Sequence, residues 1–279
     1  MYNLRYHIAS LVAVFLALAL GLVLGGLVVQ QGTFSKQQKS IVEGLQRDFK
    51  KLKNDNARLS NQIVLESGYS EQMTTAWARN RLAGRNVVVL TSGAEKEGAA
   101  AVVSAVKGAG GNPVVVTISS REFGIENPKI AGVIRSTLAS TTDIRAAVVA
   151  SLTSEWTTAD ESRPLTDALV KAGALDVVGL KPSLVATNLV DIAAFSKQPD
   201  TVALGIARAY ADKGFLAVGA QTPTSATGVA PAAVARRMSA FDTLGTQPGR
   251  FTLVALFSGG EQGYFGLNSN AIKPFPAVP

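Results

Sequence analysis

The chain has no cysteine. Disulfides, thiolate nucleophiles, zinc fingers and iron–sulfur clusters are excluded together. The compartment stays open, because exported proteins also do without disulfides. Histidine is almost missing: His7 is the only one. Ser-His-Asp, Cys-His and His-rich metal chemistry are therefore nearly excluded on arithmetic alone, and His7 reads as a residue at a membrane edge. Soft-metal sites need Cys, His or Met. Beyond residue 84 only Met238 qualifies. An oxygen-ligand site for Ca²⁺ or Mg²⁺ has no motif here.

Phosphate-binding signatures are also lacking. There is no G-x-G-x-x-G and no G-x-x-x-x-G-K-[ST]. The loop 91-TSGAEKEG-98 enters a helix, but Glu95 and Glu97 would repel phosphate while complementing the helix dipole. The run 108-GAGG-111 follows a helix and reads as a cap and turn. The run 259-GGEQGYFG-266 reads the same way. Asp160 and Glu161 are adjacent, so on a helix they diverge. Glu155 beside Trp156 is a weak pocket candidate, and Arg236-Arg237 reads as a solvated pair. No catalytic residue, metal site or cofactor is expected, and the chain is not expected to be an enzyme.

Charge is scarce in one place above all. Residues 8–29 carry none over 22 positions, which makes about 33 Å of helix, enough to span a bilayer. The run is long for a cleavable leader, and 26-GLVVQQGTFS-35 offers no clean A-x-A site, so it reads as an uncleaved anchor. Within it a small residue recurs at every fourth place: Ala9, Ala13, Ala17, Gly21 and Gly25. These share one helix face, and Gly21-x-x-x-Gly25 is the small-xxx-small pattern that lets two membrane helices approach closely. Orientation stays open. Arg5 favours a cytoplasmic start, yet Lys36, Lys39 and Arg47 follow the span.

Residues 36–82 follow as a long polar helix of about 70 Å. With Val42 as heptad position a, the a positions are Val42, Phe49, Asn56 and Ile63. The d positions are Leu45, Leu52, Leu59 and Glu66, and the frame runs on to Met73 and Trp77. A buried Asn at one a position costs stability but specifies register, often of a parallel dimer. Ridge and heptads together predict a parallel homodimer. The net charge of +7 lies mostly in this part: residues 1–84 hold 10 basic and 5 acidic side chains, the remainder 17 and 15. The cluster 50-KKLK-53 reads as a solvated helix face, and no nucleic-acid partner is expected.

After Gly84 the periodicity changes. Short apolar strands, 86-NVVVLTSG-93 and 113-PVVVTIS-119, flank a helix over 95–111. Further strands are expected at 184–190, 215–221 and, at an edge, 240–244. Helices are expected at 162–173, 200–213 with Asp200 as N-cap, 228–238, and from Thr246 through Pro248 to Gly259. The segment 251–257 is ambiguous between helix and strand. This alternation indicates an α/β, Rossmann-like domain with a mostly parallel sheet over 85–267, behind a transmembrane helix and a coiled-coil stalk. Residues 1–7 and 268–279 read as loose tails.

The blocks 2-YNLRYHIASLVAVFLALALGLVLGG-26 and 242-DTLGTQPGRFTLVALFSGGEQGYFG-266 resemble the start and close of the actinobacterial MctB family. In the second block the likeness rests on the Asp, the T-x-x-G-R helix start, the Gly-Gly and the Tyr-x-Gly. The family is labelled copper transport, and its members are similar to SteB-like cell-division envelope proteins, which act with a SteA-like membrane protein on a peptidoglycan hydrolase. The resemblance implies a single-pass protein of the cytoplasmic membrane with its C-terminal domain outside. The expectation drawn from the whole is an anchored, dimeric envelope scaffold or regulator, with copper transport or homeostasis as the alternative.

Overall fold

The computed structural model describes residues 4–30, 33–139, 143–181, 184–196, 198–223 and 228–278; residues 1–3 of the expected N-terminal tail lie outside the described residues. The chain divides into two compact units, Met1–Glu66 and Ser67–Pro279. The first contains helix α1 (Leu4–Gln30) and most of helix α2 (Thr33–Ala78). Within α1, Arg5–Leu27 is long and apolar enough to cross a membrane.

α2 stops at Ala78 rather than near Gly84. Asn80 turns the chain with φ +61°, and the Leu82 N–H then bonds to the Ala109 carbonyl. The turn drives Leu82 into the core, where it is fully buried beside Ala78. Trp77, an a position in the heptad frame, packs instead on Phe251 with ring centroids 4.6 Å apart. The Arg81 guanidinium lies 4.4 Å above the indole.

The second unit is a doubly wound α/β domain. Its elements are β1 (Asn86–Ser92), α3 (Lys96–Gly108), β2 (Asn112–Ile118), α4 (Pro128–Thr137), α5 (Ile144–Thr157), α6 (Pro164–Lys171), β3 (Leu175–Val178), β4 (Asn188–Asp191), β5 (Ala194–Phe195), β6 (Gln198–Pro199), α7 (Thr201–Asp212), β7 (Leu216–Ala220), α8 (Val229–Ala235), β8 (Ser239–Phe241), α9 (Gln247–Phe257) and β9 (Tyr264–Phe265). Seven strands form one sheet in the order β3-β2-β1-β4-β7-β8-β9. All neighbours are parallel except β2 and β3. β5 and β6 form a separate two-stranded hairpin. β8, expected at an edge, lies inside the sheet because β9 adds outside it.

β1 is buried along its whole aliphatic run. Because side chains alternate across a sheet, Val88 and Leu90 enter one core with Ile134, Leu152, Trp156, Leu165 and Tyr210. Val87 and Val89 enter the other with Val102, Val106, Leu253, Phe257 and the α2 residue Ala78. A strand apolar on both faces demands helices on both sides. The caps agree with the sequence: Asp200 accepts from the Val202 and Ala203 amides, and Thr246 accepts from Gly249. Residues 251–257 are helical and bury most of their side chains.

The closing segment is fastened by one carboxylate. Asp242, fully buried at the end of β8, accepts hydrogen bonds from the Tyr264 hydroxyl (2.9 Å) and from the amides of Leu267 (2.8 Å) and Asn268 (3.0 Å). A Cβ at Gly266, where φ is +143°, would sit 1.8 Å from Asp242 Oδ1, and one at Gly249 would sit 2.1 Å from the Thr243 carbonyl oxygen. Only glycine fits either place. The C-terminal residues, expected to be loose, run back onto this edge: Lys273 bridges to Phe265 and pairs with Glu261 at 2.5 Å. Asp242→Ala strands three donors, so we expect it to lower unfolding stability by about 3 kcal/mol, measured by denaturant titration with the buried Trp156 as fluorescent probe.

Candidate functional site

The residues expected to mediate dimerisation lie on α1 and α2. Ala9, Ala13, Ala17, Gly21 and Gly25 are exposed in the single chain, and no atom lies within 4 Å of a Cβ built at Gly21 or Gly25. On α2, Val42, Leu45, Phe49, Leu52, Leu59 and Ile63 are all more than half exposed, and Asn56 is exposed with them. Together they form an exposed apolar stripe along α2. Glu66 interrupts the d series and accepts a hydrogen bond from Gln62.

The other place to look is the carboxyl end of the parallel strands. The strand order reverses between β1 and β4, and in open α/β sheets ligands bind in the crevice at such a switch point. Here the β5–β6 hairpin folds over it. The Ser92 hydroxyl, at the tip of β1, donates to the Ala194 carbonyl at 2.6 Å. The Asp200 amide donates to the Ala193 carbonyl at 2.9 Å, closing the hairpin at its base. Beyond β2, Glu122 and Phe123 hold left-handed φ of +53° and +58°. Through that turn the Glu122 amide reaches the Asp200 carboxylate, and its side chain takes Arg145 and Thr201. Arg145 and Thr201 hold the Glu122 carboxyl below its ordinary range against the opposing effect of burial. The edge that would hold a nucleotide in a Rossmann enzyme is tied up by the chain's own groups.

Asp191 lies beneath this cover at the end of β4. It is fully buried; Oδ1 accepts from the Ala193 amide at 2.9 Å, and Oδ2 meets no partner among the described residues. Burial pushes its pKa up to about 8, with the neighbouring Asp200 adding to the rise and Arg236 opposing it. Burial also raises Asp200.

The remaining sequence candidates take structural places. Glu155 accepts from the Leu165 and Thr166 amides at 2.8 and 2.9 Å and thereby caps α6. The Trp156 indole donates to the Thr166 hydroxyl. Met238 is packed in the core. The run 108–111 is a helix cap, with Gly110 at φ +81°. Among the described residues there is no group of three or more His, Asp or Glu side chains placed to hold a metal. Arg236 and Arg237 line a groove on the helical surface with Arg208. Spacing conceals that grouping, since 28 residues separate Arg208 from Arg236.

Both ends of the chain thus carry patterned blocks, the apolar helix and the Asp242 clasp. A family model described as "Copper transport outer membrane protein, MctB" matches residues 1–276. The chain belongs to the MctB family. Among curated proteins it is similar to the copper transporter MctB of Mycobacterium bovis and of two strains of Mycobacterium tuberculosis. Identity is 30% over 145 residues in each, covering 50% of this chain and 45% of the relative. The matched region thus spans about half the length of those relatives. No solved structure matches the chain.

Asp191 supplies a pH test of this MctB-family domain. Its folded pKa lies above the unfolded value of 3.8, so its contribution to stability is complete below about pH 4 and lost as pH rises toward 8. Asp191→Asn keeps the acceptor for Ala193 and removes the proton equilibrium. The stability of the variant relative to the natural chain is expected to improve by on the order of 1 kcal/mol per pH unit between pH 5 and 8, read from denaturation midpoints across that range. A constant difference would show that Asp191 binds no extra proton on folding.

Proposed function

We propose that the chain is a single-pass, membrane-anchored homodimer that presents its α/β domain as a scaffold or regulator in the cell envelope. One observation carries the reading: the Val42–Ile63 seam, with its aliphatic a and d positions open to solvent. Exposed stripes of this kind are stable when paired. The small-residue ridge of α1 favours pairing of a second copy in the bilayer. An apolar helix suits the cytoplasmic membrane, since spans of bacterial outer membranes are typically closed β-barrels. The domain lies outside the cytoplasm in this reading.

The domain works by contact rather than catalysis. Its switch point is occupied by the β5–β6 hairpin, and the buried carboxylates Glu155, Asp200 and Asp242 are spent on backbone amides. A regulator of this kind needs partners, here a SteA-like membrane protein and a peptidoglycan hydrolase. Copper homeostasis is the second reading, favoured by the names of the family and of its mycobacterial members. Direct Cu(I) ligation must contend with a chain that has no cysteine, and with a buried Met238.

Replacing Leu45, Leu52 and Leu59 together by Ser is expected to halve the protein mass measured by light scattering in detergent, once the micelle is subtracted. A mass unchanged by the triple replacement would remove the seam from the account. Calorimetric titration of the full chain with Cu(I) is expected to show no saturable site at micromolar concentration; a stoichiometric site would favour the copper reading.

A further inference from the structure

Four helices of the domain end in the same way. A residue in left-handed conformation follows the cap, and the next amide reaches back to a carbonyl in the last turn. This is the Schellman arrangement, which favours glycine because a Cβ is strained there. α3 uses Gly110 (φ +81°), α6 Gly173 (+73°), α7 Gly214 (+79°) and α9 Gly259 (+98°). The returning bonds are Gly111 to Val106, Ala174 to Leu169, Phe215 to Tyr210 and Gly260 to Ala255. α8 makes the identical closure, Met238 to Ala233, but its left-handed residue is Arg237, at φ +59°. The other positive-φ residues that follow helices are Asn80 after α2, a type that tolerates this region, and Ala139 after α4, which is small. Arg237 is the one long, charged side chain held this way after a helix of the described residues. A strained backbone retained where glycine would relieve it points to a use for the side chain.

The surroundings supply that use. Arg237 lines an open, shallow groove of about 520 Å³ together with Arg208, Asp212, Arg236, Val149 and Gly205. Arg208 is fixed at both ends: Nη1 donates to the Arg236 carbonyl at 2.7 Å and Nη2 pairs with Asp212. Arg236 is held by a bond from Nη1 to the Ala232 carbonyl. Two guanidiniums are thus held by hydrogen bonds to carbonyls, and the strained turn adds a third that has no carboxylate partner among the described residues. Asp212 neutralises only one of the three. We propose that this groove is a binding site for a phosphate-type oxyanion. Such a group carries more charge and more acceptor oxygens than a carboxylate and matches the fork geometry of several guanidiniums at once. The phosphate belongs either to a soluble phosphorylated ligand or to a lipid headgroup. This site is independent of the dimer seam.

The test compares the full chain in neutral detergent with Arg237→Gly and Arg237→Lys. Inorganic pyrophosphate probes the soluble source, and short-chain phosphatidylglycerol doped into the same micelles probes the lipid source. Binding is read from the rise in thermal midpoint with probe concentration at fixed ionic strength. The natural chain is expected to give a saturable rise with at least one probe, and the probe that works names the source. Arg237→Gly relieves the strained turn, so without probe it should melt at a higher temperature than the natural chain. It should also bind at least about tenfold more weakly, the loss of one charge-assisted contact. Arg237→Lys should bind more weakly than the natural chain but better than the glycine variant. A response in Arg237→Gly equal to that of the natural chain would overturn the proposal, as would no saturable response to either probe.

Discussion

Four aliphatic side chains of β1 must be hidden from water on two faces at once, and the rest of the domain follows from that constraint. Val88 and Leu90 need one helical layer, Val87 and Val89 the other. α4 to α8 serve the first. α3 and α9 serve the second, and they leave room that Ala78 and Leu82 fill. Burying a side chain of this size is worth roughly 1.5–3 kcal/mol, so drawing the end of α2 and the turn after it into the core offsets the cost of ordering them. The same requirement explains why the heptad pattern yields before Trp77: in the last turn of α2 the domain competes for the apolar face, and Phe251 takes the indole.

Glycine placement shows how local chemistry serves this packing. Gly249 and Gly266 are fixed by close approach, to the Thr243 carbonyl and the Asp242 carboxylate. Gly110, Gly173, Gly214 and Gly259 are fixed by backbone conformation. The patterned block between Asp242 and Gly266 is therefore a geometric device: one buried acid closes the sheet and pins the segment that follows. Its residues belong to architecture and say little of chemistry performed on a ligand.

Much of this was legible in the sequence because it is local. The valine runs of β1 and β2, the Asp200 cap, and the Thr246–Pro248 start with its glycine stop each announce themselves within a few residues. The elements that escaped are short or uniformly covered. β3 has four residues and β9 two, too few to show a period. α5 lies against α4, α6 and α7, so its apolar residues surround it instead of forming a stripe. The filled switch point was invisible because Ser92 and Ala194 are 102 positions apart. The basic groove hid for the same reason. The heptad spacing of α2 and the small-residue repeat of α1 are sequence patterns, readable because each lies on a single helix.

The borders of the sheet have a further consequence. β3 is antiparallel, only four residues long, and carries Asp176 in its middle; β9 is two residues long and shielded by the Lys273 bridge. Molecules tethered to one surface meet at concentrations that free diffusion never reaches, and bare strand margins would then nucleate lateral polymers. For the anchored dimer proposed above, blunted margins would keep such a crowd in discrete particles and leave association to exposed helical faces.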